Sequence, residues 1–108
     1  MFAAQFIFRP GVYDARFHEL DASIDAFALT LDGFLGVERW QSADGTVKNS
    51  VYYFEDMETV KVFSRFEDHK TAKAEYAKWY EGYQVVISEV TATYGDGNIS
   101  SIAATKKR

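Results

Sequence analysis

Fifteen consecutive residues, His69 to Tyr83, hold most of the side chains in this chain that could do chemistry. At 3.6 residues per turn, His69, Ala72, Tyr76, Trp79, Tyr80 and Tyr83 share one side of a helix. Lysines, alanines and Glu81 fill the other side. A plain core is served by Leu, Ile and Val. Phenols, an indole and an imidazole each need a polar partner when buried, so this stripe reads as a pocket wall. An imidazole titrates near neutrality and can act as a base or a ligand. Its structural alternative is a histidine bonded at the start of its own helix. For the rings, the alternative is a core of large residues whose polar tips reach solvent.

Other residues could join such a pocket. Trp40 and Tyr52 lie on a central hairpin, where alternate residues face opposite sides. One of Tyr52 and Tyr53 therefore faces the helices, and the sequence leaves open which. An inward Arg39 could steady an enolate or peroxide anion. Its bland alternative is an ion pair with Glu38, Glu55 or Glu89. His18 lies just off the apolar stripe of the first helix; it could touch a pocket mouth, but a partly exposed structural histidine is the preferred reading. Asp21, Asp25 and Asp32 read as a solvated face of that helix, because a metal site needs convergence. No metal-ligand spacing, phosphate-cradling Gly loop or Ser-His-Asp set is visible.

The elements that must position these groups follow from periodicity. Phe2 to Phe8 reads as a strand, closed by Pro10-Gly11. Asp14 is the expected cap of a helix over Ala15 to Leu31, whose inward side is Phe17, Leu20, Ile24, Phe27 and Leu31. Asp32-Gly33 stops it. Phe34 to Ser42 and Val47 to Phe54 are strands joined by a turn at Asp44-Gly45. Asp56 caps a second helical region that buries Val60, Phe63 and Phe66, with a break expected at Glu67-Asp68. Gly82 is expected to end the aromatic helix, and Tyr83 to Tyr94 to form the fourth strand. Residues 1–95 read as one domain and 96–108 as a flexible tail.

This order, βαββαβ, is the ferredoxin-like α+β arrangement, a four-stranded antiparallel sheet with helices on one face. The strands are apolar on both parities. Phe2, Phe6 and Phe8 oppose Ala3 and Ile7; Phe34 and Trp40 oppose Leu35 and Val37; Val85 and Ile87 oppose Val86 and Val90. Both faces of the sheet want cover, which predicts a homodimer with sheets packed face to face.

Bulk composition narrows the function classes. With 108 residues there is room for one modest core, and a 17% aromatic share needs a core, pocket or interface to absorb it. A net charge of −4 argues against a nucleic-acid surface. The absence of cysteine excludes disulfides, thiolate chemistry and Cys-ligated metal. No signal-peptide pattern and no membrane-length apolar run are seen, and a cytoplasmic protein is expected.

Gly33-Phe34-Leu35-Gly36-Val37-Glu38-Arg39-Trp40, Asn49 to Glu55, His69 and Trp79-Tyr80-Glu81-Gly82-Tyr83 together resemble the antibiotic biosynthesis monooxygenase family. The resemblance runs from about Phe6 to Gly95. It implies a dimeric α+β barrel and oxygenation of a planar aromatic, polyketide or quinol, by dioxygen without metal or other cofactor. In the family a histidine is common at the place of His69; with the reading of the residues above, His69 and Arg39 are the candidate catalytic residues, and Tyr76, Tyr80, Trp79, Trp40, Tyr52 and Phe63 the candidate substrate-binding ones. Two alternatives remain open: a non-catalytic dimer that binds small aromatics, and a haem-binding or haem-degrading relative. Haem-degrading relatives pair the histidine with a first-strand asparagine and a second-helix tryptophan. Gln5, Phe6 and Phe63 stand here instead.

Overall fold

The computed structural model describes residues 1–66, 70, 71 and 74–105. Its elements run β1 (Phe2–Pro10), α1 (Ala15–Leu29), β2 (Phe34–Gln41), β3 (Lys48–Phe54), α2 (Met57–Ser64), a 3₁₀ turn (Tyr76–Lys78), β4 (Tyr80–Glu89) and a helical turn (Ile102–Thr105). The four strands form one antiparallel sheet in the order β2-β3-β1-β4. This is the ferredoxin-like order, with the first strand central.

Both helices start where the sequence places a cap. Asp14 is extended, and its carboxylate accepts from the Phe17 amide at 2.9 Å. Asp56 does the same for the Thr59 amide at 2.8 Å and also takes the Thr59 hydroxyl. Each satisfies one of the amides that a helix start leaves without a partner. Helix α1 stops at Leu29, two residues short of the expected Leu31, with Thr30 closing it. The core lies between the helices and one face of the sheet. Ile24, Ala28, Phe54, Val60 and Phe63 form it, with Phe2, Ala4, Phe27, Phe34, Tyr52 and Phe66 packed around.

The pairing fixes which residues face the helices. Phe2, Ala4, Phe6 and Phe8 of β1 lie beside Phe54, Tyr52, Ser50 and Lys48 of β3. On the far side they lie beside Glu89, Ile87, Val85 and Tyr83 of β4. Tyr52 therefore faces the helices, and Tyr53 faces away.

Strand β2 departs from simple alternation. Phe34 pairs with Phe54 but Gly36 pairs with Tyr53, so Leu35 is an extra residue and the register slips. A bulge of this kind reverses the facing of everything beyond it. Phe34 joins the core while Trp40, of the same parity in sequence, lies on the outer face opposite Asn49. Arg39 is turned toward the helices. The expected grouping of Phe34 with Trp40 is thus corrected, and the bulge is the reason.

The aromatic stretch is also corrected. A single helix through Tyr83 is not formed. After the helical residues 74 and 75 comes the 3₁₀ turn, and β4 begins at Tyr80, with Gly82 inside the strand. Tyr80 pairs with Pro10 and Tyr83 with Phe8. The entry into β4 is held by the Gly11 amide, which donates to the Trp79 carbonyl at 2.7 Å. A Cβ on residue 11 would lie 2.7 Å from that oxygen, so glycine is what permits the approach. Strand pairing here outweighs the helical period of the tyrosines, which β-sheet accepts readily.

On the outer face, the turn Ile102–Thr105 seats on β2. The Ile102 amide donates to Glu38 Oε2 at 2.9 Å, and Ala103 is buried. No described helix is long and apolar enough to cross a membrane.

Candidate functional site

Between the two helices and the helix-facing side of the sheet lies an open cavity of about 830 Å³. Drug-sized ligands occupy cavities of about 300–1,000 Å³. One part of its wall is made of rings. Phe6 and Phe8 stack with centroids 5.0 Å apart, and Tyr80 stands edge-on to them at 5.2 and 5.1 Å. Tyr13 and Phe17 stack nearly parallel at 4.0 Å, and Phe17 meets Tyr80 at 5.8 Å. The β1 rings are there because alternate residues of a central strand share one face. Tyr13 and Phe17 flank the capped start of α1.

The other part of the wall is polar. Tyr52 Oη donates to Asp25 Oδ1 at 3.0 Å. Arg39 Nη2 donates to Asp25 Oδ2 at 3.2 Å and reaches Tyr52 Oη at 3.5 Å. Asp25 stands behind this pair and orients both. The Arg39 partner is Asp25, not Glu38, Glu55 or Glu89, because the β2 bulge turns the guanidinium toward α1. Burial, then the Asp25 charge, pushes the Tyr52 phenol well above its ordinary pKa, so it stays a neutral donor. Burial raises Tyr80 in the same direction. His18 and Asp21 of α1 also border the cavity, and burial raises the Asp21 carboxyl, with Asp25 adding to the shift.

The residues expected at a site are distributed unevenly. Arg39, Tyr52, Phe63, Tyr76, Tyr80 and Trp40 all border the cavity. Phe63 is also core, 4% exposed, packed on Tyr52 and Phe54. Tyr76 stands edge-on to Tyr83 at 4.8 Å. Trp40 is 60% exposed on the outer-face parity. Trp79 does not border the large cavity. It is 1% exposed, its Nε1–H donates to Asp14 Oδ1 at 3.0 Å, and it borders a cleft of about 30 Å³ behind the rings. His69 lies outside the described residues, as do Glu67 and Asp68. The sequence reading did not place Phe6, Phe8, Tyr13, Phe17, His18 or Asp21 at a site. The signal available was the i, i+4 spacing of Phe17, Asp21 and Asp25 along the flank of the apolar stripe. Among the described residues, no group of three His, Cys, Asp or Glu side chains could hold a metal ion.

No protein-family model matches the chain, and no curated protein does. Solved structures do. SnoaB, a cofactor-independent oxygenase from Streptomyces nogalater, superposes with a TM-score of 0.66 at 12% identity, over 85% of this chain and 94% of that one. Rv0793 from Mycobacterium tuberculosis gives 0.64 at 15% identity, over 87% and 98%. A candidate antibiotic biosynthesis monooxygenase from Nitrosomonas europaea gives 0.64 at 17% identity, over 85% and 100%. The chain has their fold. The resemblance drawn from the sequence thus returns in three dimensions. At these identities the likeness carries the architecture, and the chemistry has to be read from this chain's own side chains.

Proposed function

We propose that this protein is a cofactor-independent monooxygenase acting on a planar, electron-rich hydroxyarene of polyketide or quinol type, with dioxygen as co-substrate. The observation that carries the reading is the cavity itself: ligand-sized, walled by flat rings on one side and by Arg39 and Tyr52, held from behind by Asp25, on the other. Rings at stacking distance favour a flat guest. A wall residue takes a proton from the substrate, and the resemblance offers His69 for that role. The resulting anion reduces dioxygen. One oxygen atom replaces a ring hydrogen and ends as a carbonyl, the other leaves as water, and the four electrons come from the substrate's own O–H and C–H bonds. Arg39 faces the developing negative charge, and Tyr52, whose single O–H is donated to Asp25, holds the carboxylate that orients it. Trp40, Tyr76, Tyr80 and Phe63 contribute surface to the guest; Trp79 supports the ring wall from behind. We place the domain at residues 1–95, with the turn Ile102–Thr105 docked against it, and the working form as a homodimer, with the outer sheet face, including Val86 and Tyr53, toward the second copy.

Oxygen uptake over a panel of naphthalene and anthracene hydroquinones tests the reading. Turnover is expected to consume one dioxygen per product and to place one ¹⁸O atom in the product. Binding of the same compounds without oxygen uptake would favour the non-catalytic binding dimer instead. A haem titration followed at the Soret band separates the haem-binding alternative.

A further inference from the structure

The floor of the cavity is the helix-facing side of the sheet, and the strand register divides it in two. One rung runs Arg39 of β2, Ser50 of β3 and Phe6 of β1. The next runs Gln41, Lys48 and Phe8. All six residues border the cavity. Residues directly opposite on one face of a sheet are side-chain neighbours. The β1 part of the floor is therefore aromatic. The β2–β3 part beside it holds a guanidinium, an ammonium, a hydroxyl and an amide.

Two of these groups are uncommitted. Ser50 is the only polar residue among those described that is buried, at 8% exposure, and its hydroxyl has no hydrogen-bond partner among them. Buried polar groups are as a rule hydrogen-bonded, and a strand position between two others is filled better by Val or Thr. Serine here turns a donor toward the cavity. Lys48, two residues away on the same face, makes no ion pair among the described residues. Arg39, by contrast, is held by Asp25. The charge of the lining has a sign. Arg39 and Lys48 stand against one carboxylate, Asp21. Asp21 belongs to α1, at the small cleft with Trp79 and Tyr80, and not to the sheet floor. His18, the remaining titratable group on α1 that borders the cavity, can add only positive charge.

We infer that Ser50 and Lys48 form a subsite for a carboxylate, and that the substrate is a hydroxyarene carboxylic acid bound as its anion, which deepens the hydroxyarene reading of the cavity and rests on it. The guest ring lies on Phe6 and Phe8. Its carboxylate reaches across to β3, accepts from the Ser50 hydroxyl and pairs with the Lys48 ammonium. Neighbouring strands lie about 4.8 Å apart, a step that a carboxylate borne directly on the ring bridges. Arg39 remains with the ring oxygen on which charge develops in turnover.

Anaerobic titration calorimetry with three probes tests this: 2-naphthol, 3-hydroxy-2-naphthoic acid and the methyl ester of that acid. All share the ring and the hydroxyl, and only the acid is an anion. The wild type is expected to bind the acid about tenfold tighter than either neutral probe, and added salt is expected to erode that margin. Ser50→Ala and Lys48→Met should each cut the margin to about threefold, and the two together should remove it. Lys48 is exposed, so a loss in that variant does not arise from misfolding. Lys61→Met removes the same charge from an exposed position on α2 that does not border the cavity, and it should leave the margin intact. Binding of 2-naphthol by the wild type with no preference for the acid overturns the inference and leaves the cavity reading standing. So does a margin that survives the double variant, or one that Lys61→Met erases equally. Failure of all three probes to bind overturns the cavity reading and the inference with it.

Discussion

The indole of Trp79 donates its N–H to Asp14, the same carboxylate that caps α1, at 3.0 Å. One side chain thus joins the start of the first helix to the residue preceding the last strand, 65 positions away. Asp14→Ala removes the cap and leaves a buried N–H without a partner. The two losses together are expected to destabilise the fold by about 2–3 kcal/mol. Asp14→Asn keeps an acceptor and should retain most of that stability. Urea denaturation followed by Trp fluorescence measures both.

Tyr52→Phe removes a hydrogen bond to Asp25 and leaves Arg39 as the only partner of that carboxylate among the described residues. A loss of about 1 kcal/mol in stability is expected. If the cavity is catalytic, the fall in kcat should exceed the fall in affinity for a hydroquinone, because the phenol helps Asp25 position Arg39, which acts on charge that develops late. Steady-state kinetics beside calorimetry on the same variant would check this.

The phenols of Tyr52 and Tyr80 should also leave their mark in alkali. Their folded pKa values lie above the unfolded value of 10.0. The linked contribution is therefore fully present below pH 10 and is lost as pH rises through the folded values. A spectrophotometric titration at 295 nm should show these two groups ionising late, in step with alkaline unfolding. Early, independent ionisation of both would contradict the geometry of the cavity wall.

Asp44 organises the hairpin turn. Its carboxylate accepts from the Thr46 amide at 3.1 Å and from the Ser42 and Thr46 hydroxyls, each at 2.8 Å. These bonds, the Thr46 amide first, draw its pKa from 3.8 down to about 2. The stabilisation is present above pH 3.8 and lost as pH falls through about 2. Asp44→Ala should melt below the wild type at pH 6, and the two melting temperatures should converge as pH approaches 2.

Gly36 has φ of +140°, and a Cβ there would lie 2.8 Å from Ile102 Cδ1. Gly36→Ala therefore strains the backbone and pushes on the turn seated above it. A cost of about 1–3 kcal/mol is expected from the backbone conformation. Faster hydrogen exchange at the Ile102 amide, which Glu38 holds, would register the displaced turn.

Element order, both helix caps and the hairpin turn were legible in the sequence because each is written in local chemistry. Asp14 and Asp56 announce helix starts, and Asp44-Gly45 announces a reversal. Two features escaped because they depend on pairing between distant residues. The slip at Leu35 is invisible to alternation counted along one strand, and it decides which way Arg39 and Trp40 face. Tyr76, Tyr80 and Tyr83 fit a helix by spacing, yet Pro10 and Phe8 claim the latter two for the sheet. Among the candidate site residues, Arg39, Tyr52 and Tyr80 could be named from type and position.

The peg that Ile102 sets into the notch at Gly36 has a geometric consequence for self-association. Two identical sheets laid together need flush surfaces, and β2 already carries a bump of its own chain on that side. Any symmetric pairing is thereby shifted off centre, toward β1 and β4, unless the peg is first withdrawn. If two copies pair through this face, Ile102 and Ala103 set where a twofold axis can pass.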